Sequence, residues 1–135
     1  MGFLTGKTAI ITGGGRAVLS NGECGSIGYG IATAYAKEGA NLVVTGRNVQ
    51  KLTDAKEELE KKYGIKVLPV QADVSASADN EAIVQNVVKQ AIDTFGRIDV
   101  LINNAQASAS GVTIADHTTE QFDLAVYSGL YAAFY

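Results

Sequence analysis

Glycines cluster twice near the start of this sequence, in Thr12-Gly13-Gly14-Gly15-Arg16 and in Ser26-Ile27-Gly28-Tyr29-Gly30. A glycine-rich turn lets main-chain N–H groups approach a ligand that side chains would hold off, and a helix beginning after it adds partial positive charge. The ligand such a turn suits is a pyrophosphate. Ser26 is of a type that caps helices, and its hydroxyl can also donate to a phosphate. Further along, Thr45-Gly46-Arg47 closes a β-rich run without an acidic residue. An acid there would accept hydrogen bonds from the ribose hydroxyls of NAD, whereas a guanidinium pairs with a 2′-phosphate in a bidentate way. Arg16 offers a second positive charge. These types and spacings imply a nicotinamide dinucleotide site built on Gly13, Gly15, Arg16, Ser26, Ile27, Gly28 and Arg47, with NADP(H) favoured over NAD(H). The blander alternatives are a merely flexible turn for the glycines and solvated side chains for Arg16 and Arg47.

The elements that must position these residues alternate regularly. Thr8–Thr12 is a short apolar run closed by glycines, as expected of a strand buried on both faces of a parallel sheet. Ile27, Ile31, Tyr35 and the alanines between them recur at helical spacing up to Lys37, and Gly39 supplies a stop. Leu42–Thr45 is a second strand. Asn48 caps a helix running to Tyr63, with Leu52, Ala55, Leu59 and Tyr63 on one stripe and Gly64 as terminator. Val67–Val70 is a third strand whose Pro69 lacks a ladder donor and predicts a sheet-edge position. A helix from about Asp79 to Phe95 carries two stripes, Ile83-Val87-Ala91 and Val84-Val88-Ile92, and this wide face is expected to pack on a sheet. Ile98–Ile102 is a fourth strand. Thr118 and Gln121 have capping-box spacing and open a last helix bearing Phe122, Ala125, Val126, Leu130, Ala133 and Phe134. The fold class is α/β, a Rossmann-type doubly wound parallel sheet truncated after about four strands. A chain of 135 residues that is 47% hydrophobic buries one core, so residues 1–135 form a single domain.

With this context on the page, the sequence resembles the short-chain dehydrogenase/reductase family, specifically its N-terminal cofactor-binding portion. That family opens on T-G-x-x-x-G-x-G and ends its fourth strand in N-N-A-G, where this sequence has Asn103-Asn104-Ala105-Gln106. The resemblance implies that Asp73-Val74, after the third strand, contacts the adenine and that Asn103 and Ala105 belong to the cofactor site. It implies hydride transfer between the nicotinamide and a carbonyl or alcohol substrate. The departures are specific. Gly28 lies fifteen residues after Gly13 rather than six, so Ala17 to Gly25 reads as an insertion, and Ser26 replaces the middle glycine. This widened turn is similar to that of the enoyl reductases of fatty-acid synthesis. Gln106 stands where the family has glycine, beside the nicotinamide ribose. The relay asparagine expected seven residues after Phe122 is Gly129.

The family's catalytic serine, tyrosine and lysine lie beyond residue 135, and no tyrosine of this chain is followed four residues later by lysine. No catalytic residue is therefore assigned within it. The expectation is a cofactor-binding half of an NADP-dependent dehydrogenase or reductase. The alternatives are a non-catalytic dinucleotide-binding module, a subunit completed by a partner chain, and an enoyl-reductase-like fragment. A net charge of −3 without a basic cluster argues against nucleic acid. No apolar run approaches a membrane span or a signal peptide, which predicts a cytoplasmic protein. The resemblance implies a homo-oligomer. Cys24 is the only cysteine and His117 the only histidine. Both read as surface residues, and no metal site is proposed.

Overall fold

The computed structural model describes residues 2–75 and 79–135. Four strands form one sheet in the order β3-β2-β1-β4, with every pairing parallel. They are β1 (Thr8–Thr12), β2 (Asn41–Gly46), β3 (Val67–Gln71) and β4 (Val100–Ile102). The helices between them are α1 (Ile27–Lys37), α2 (Val49–Tyr63) and α3 (Asn80–Phe95). After β4 comes α4 (Thr119–Val126), which widens into a π-turn at Tyr127–Tyr131 before the short α5 (Ala132–Phe134). The chain steps from β1 outward to β2 and β3, then returns across the sheet to β4 on the other side of β1. That reversal is the switch point at which open α/β sheets leave a crevice beyond their strand ends.

Side chains alternate along each strand, so both faces of the sheet carry apolar residues, covered over β1 to β3 and open at Leu101 of β4. Ala9, Ile11, Leu42 and Val44 face α1 and α2, packing with Tyr29, Ala32, Leu52 and Leu59. Ile10, Val43 and Val70 face α3 and meet Val87 and Ala91. Pro69 sits on β3, which among the described residues is an edge strand bonded to β2 alone, as its missing donor requires. The helix ends follow the sequence signals. Asn48 accepts from the Lys51 N–H at 3.0 Å, and Thr118 and Gln121 form the reciprocal box. Gly64 and Gly96 close their helices in the left-handed region.

Three expectations change. Ile27 is 76% exposed, so it does not belong to the buried face of α1, which consists of Gly28, Tyr29, Ala32 and Ala36. Small residues there bring the helix close to the sheet, and Ile31 and Tyr35 pack only at the margin of the core. The regular part of β4 is shorter than Ile98–Ile102. The Asp99 carboxylate, rather than a backbone carbonyl, takes the Thr8 N–H at 2.9 Å, and is itself gripped by Arg97. On α3 only the stripe carrying Val87 and Ala91 packs on the sheet, while Val88 and Ile92 stay exposed. Val84 and Val88 line an apolar cavity of about 210 Å³ beside Leu101, on the flank where β4 has no outer neighbour among the described residues.

The segment Ala17 to Gly25 is an ordered hairpin. Val18 and Cys24 form an antiparallel bridge, Leu19 N–H donates to Glu23 at 2.8 Å, and Gly25 N–H donates to Ala17 at 2.7 Å. Cys24 is exposed. No described helix is long and apolar enough to cross a membrane.

Candidate functional site

The C-terminal ends of the strands converge on the turn after β1. Gly13 has φ +70°, a left-handed conformation that favours glycine. The turn is tied down on one side by Gly14 N–H donating to the Thr45 carbonyl at 3.1 Å, and on the other by Arg16 N–H donating to the Lys51 carbonyl at 2.8 Å. The N-terminus of α1 reaches it through Gly28. A Cβ there would overlap the Gly13 carbonyl oxygen and lie 2.6 Å from Asn104 Nδ2. No side chain fits, and the first turn of the helix lies directly on the loop. Ser26 caps it, accepting from Tyr29 N–H at 3.3 Å.

The loop after β4 is stapled to this junction by a residue that sequence reasoning left out of the site. The Asn104 side chain donates to the Thr12 carbonyl at 2.9 Å, and the N–H groups of Asn104 and Ala105 donate to Thr12 Oγ1 at 3.0 and 2.9 Å. Thr12 and Asn104 together set the spacing between β1 and β4 at the mouth of the crevice. The signal for them was present in the Asn103-Asn104-Ala105 run, but a bridging role is visible only once the two strands are adjacent.

A second cavity of about 300 Å³, with polar and apolar walls, opens beside the turn. Of the sequence-selected residues, Gly13, Arg47, Asp73, Val74 and Ala105 line it. Asn103 lines the adjoining apolar cavity instead. Gly15, Arg16, Ser26, Ile27 and Gly28 belong to the turn and the helix start and are not part of either wall. Thr45, also a lining residue, is buried, and its hydroxyl has no protein partner among the described residues.

The two arginines part company. Arg47 is exposed at the end of β2 and makes no ion pair among the described residues. Arg16 turns to α2, where its guanidinium pairs with Glu58. Glu58 also meets Lys62 at 3.0 Å, and the Arg16 bond, with help from Lys62, lowers its pKa to about 2. Arg16 therefore braces the turn against α2 in this structure, with a competing carboxylate already on its charge. Asp73 lies on the cavity wall. Its carboxylate accepts from Ser75 Oγ at 2.5 Å and Ser75 N–H at 2.9 Å. The Ser75 bonds, helped by the charge of Arg47, hold it below the usual range.

Gln106 follows Ala105 on the same loop and touches both cavities, while Gly129 lies opposite it in the π-turn. His117 Nδ1 lies 3.1 Å from the Thr113 carbonyl in the turn before α4. Among the described residues, no three His, Cys, Asp or Glu side chains come together to hold a metal ion.

Comparison with known proteins places these features in a family context. The family model described as short chain dehydrogenase matches residues 7–134. A 12alpha-hydroxysteroid dehydrogenase of Clostridium sp. is 64% identical over 135 residues, covering 100% of this chain and 49% of that protein. L-sorbose reductase from Gluconobacter frateurii, solved with NADPH and L-sorbose, superposes with a TM-score of 0.82 at 33% identity, covering 99% of this chain and 45% of that one. An alcohol dehydrogenase from the archaeon Thermococcus sibiricus, complexed with 5-hydroxy-NADP, gives a TM-score of 0.80 at 27% identity, covering 95% and 48% respectively. The chain spans about half the length of the relatives it matches.

Proposed function

Because the chain belongs to the short-chain dehydrogenase family, we propose that it binds NADP(H) across the C-terminal ends of its strands and supplies the cofactor half of a hydride-transfer site. The observation that carries the reading is the free Arg47 guanidinium at the end of β2, on the wall of a cavity that continues past Gly13 to Ala105. No acid stands at the end of β2 to bind ribose hydroxyls or repel a 2′-phosphate. The site suits the group: beside the cavity, at Gly28, any side chain would collide with the turn, and on the cavity wall the Thr45 hydroxyl has no protein partner among the described residues.

Each residue has a distinct task in this reading. The N–H groups of Gly13, Gly15 and the α1 start, with the Ser26 hydroxyl, hold the pyrophosphate, while the Gly14 N–H stays on the Thr45 carbonyl. Arg47 takes the 2′-phosphate, and Asp73 with Val74 borders the adenine. Asn103 and Ala105 border the nicotinamide ribose. Arg16 serves chiefly as a brace, since Glu58 holds its charge. When bound, NADP(H) gives or takes a hydride at its nicotinamide. The chain carries no tyrosine–lysine pair at helical spacing, so its own share is to bind and orient.

The reaction partner is an alcohol or ketone, and the 64% identity to a 12alpha-hydroxysteroid dehydrogenase favours a hydroxysteroid. The binding test is a fluorescence titration of the chain with NADPH and NADH. NADPH is expected to bind more tightly, by roughly ten- to a hundredfold for one bidentate charge-assisted contact, and Arg47→Ala to remove most of that difference. Equal affinities in the unmutated chain would overturn the choice of cofactor. NADP-dependent oxidation of a 12α-hydroxysteroid by this chain joined to a second half that carries the tyrosine and lysine, set against sugar and short keto substrates, tests the substrate class.

A further inference from the structure

Two arginines leave the backbone beside one another at the mouth of the crevice. Arg16 follows Gly15 and Arg47 follows Gly46. A Cβ on Gly15 would lie 3.8 Å from Leu52 Cδ2, and one on Gly46 would lie 3.5 Å from the same methyl. The two backbone positions are therefore neighbours across a single leucine. The bond from Gly14 N–H to the Thr45 carbonyl ties the same two segments together. With the length of an arginine stem, either guanidinium can reach a phosphate bound between them.

Only one of them is at liberty to do so. Arg47 makes no ion pair among the described residues, whereas Arg16 Nε donates to Glu58 Oε2 on α2. The other carboxylate oxygen, Glu58 Oε1, accepts from Lys62 Nζ at 3.0 Å, one turn along the same helix. Lys62 thus keeps the carboxylate charged and leaves Oε2 for the loop. The Arg16 side chain is 35% exposed, so the pair is not locked into the core. A carboxylate in this place braces the turn, and it also offsets one positive charge at the phosphate end of the cavity.

We propose that Glu58 sets how strongly the chain prefers NADPH to NADH, by holding Arg16 away from the 2′-phosphate and leaving that group to Arg47. Glu58 is a positioning residue, since it touches no part of the cofactor and acts through Arg16. Its carboxylate and the phosphate compete for one guanidinium, and both offer it charge-assisted bonds. Removing the charge of Glu58 while keeping its shape releases Arg16 to the phosphate as a second cation. The inference rests on the cofactor reading above and names the residue that limits it.

The test is Glu58→Gln, alone and combined with Arg16→Gln, each titrated with NADPH and NADH. Glu58→Gln is expected to raise the preference for NADPH by roughly threefold to tenfold, the size of one charge-assisted contact at a half-exposed site. The gain is expected to vanish in the double variant. The ratio of the two affinities is the quantity read, because a turn merely loosened by the loss of its brace weakens both cofactors alike. Nitrogen–proton NMR of the Arg16 Nε–H, assigned by its loss in Arg16→Gln, follows the guanidinium itself. In Glu58→Gln that signal is expected to move with NADPH and to stay nearly still with NADH. If the unmutated chain prefers NADPH, a ratio unchanged or lowered in Glu58→Gln, or a gain that persists in the double variant, overturns the inference and leaves the cofactor reading intact. If the unmutated chain binds both cofactors equally, the cofactor reading fails and takes the inference with it.

Discussion

Replacing Gly28 by alanine tests whether the junction of turn, helix and β4 loop is as tight as the geometry demands. The new Cβ would overlap the Gly13 carbonyl and lie 2.6 Å from Asn104 Nδ2. Reaching an ordinary contact near ~3.4 Å requires the α1 start to retreat by about 0.8 Å from Asn104, and further from Gly13. Neither neighbour can yield easily. The Gly13 carbonyl is backbone in a left-handed turn, and Asn104 is held by its bond to the Thr12 carbonyl. Overpacking of a well-filled site costs about 1–3 kcal/mol, and the upper part of that range applies where both obstacles are fixed. Gly30 provides the control. It lies in the same helix, and a Cβ there meets nothing closer than Cys24 Cβ at 3.9 Å. Gly30→Ala is therefore expected to stabilise the chain by about 0.5–1 kcal/mol through helix propensity and reduced freedom of the unfolded state. Equilibrium urea unfolding of the two variants measures both changes, and NADPH titration of Gly28→Ala should show weakened binding as α1 leaves the loop. A Gly28→Ala chain as stable and as competent for NADPH as the unmutated one would refute the described junction.

Thr12→Val removes the acceptor used by the Asn104 and Ala105 N–H groups; a loss of about 1–3 kcal/mol is expected in the same unfolding assay, together with weaker NADPH binding. The Glu58 pKa is lowered to about 2 by Arg16, so its contribution to stability is complete above its ordinary value near 4.5 and is lost as pH falls towards 2. Thermal melts at pH 6 and pH 3 should show a larger drop for the unmutated chain than for Arg16→Gln. Equal drops would mean that the pair adds nothing. The Arg16→Gln chain is also expected to keep more of its preference for NADPH than Arg47→Ala does, because Glu58 already holds the Arg16 charge; the paired titrations decide it.

Much of the fold was legible because its signals are local. The first strand announced itself as an apolar run closed by glycine, and Asn48, Gly64, Gly96 and the Thr118–Gln121 pair marked helix ends through bonds spanning only a few residues. Pro69 even indicated its place in the sheet, since a missing donor is tolerated at an edge. Side-chain direction was less legible. Ile27 is apolar and in phase with its helix, yet it faces outward because Gly28 and the alanines form the close-packing face. The Val84-Val88-Ile92 stripe likewise lies on a flank that β4 leaves uncovered.

By itself, then, the sequence determined the alternation of elements, the position of the glycine turn and the family, all of which depend on neighbouring residues and on spacing. Tertiary structure decided what each charged or polar side chain meets. Arg16 read as a second cation beside Arg47 for the phosphate, but Glu58 lies forty-two residues from Arg16 in sequence and beside it in space. Gln106 and Gly129 lie on separate elements, and the π-turn sets them opposite one another. Such pairings are set by helix packing and loop path across the sheet, and no local pattern of residue types encodes them.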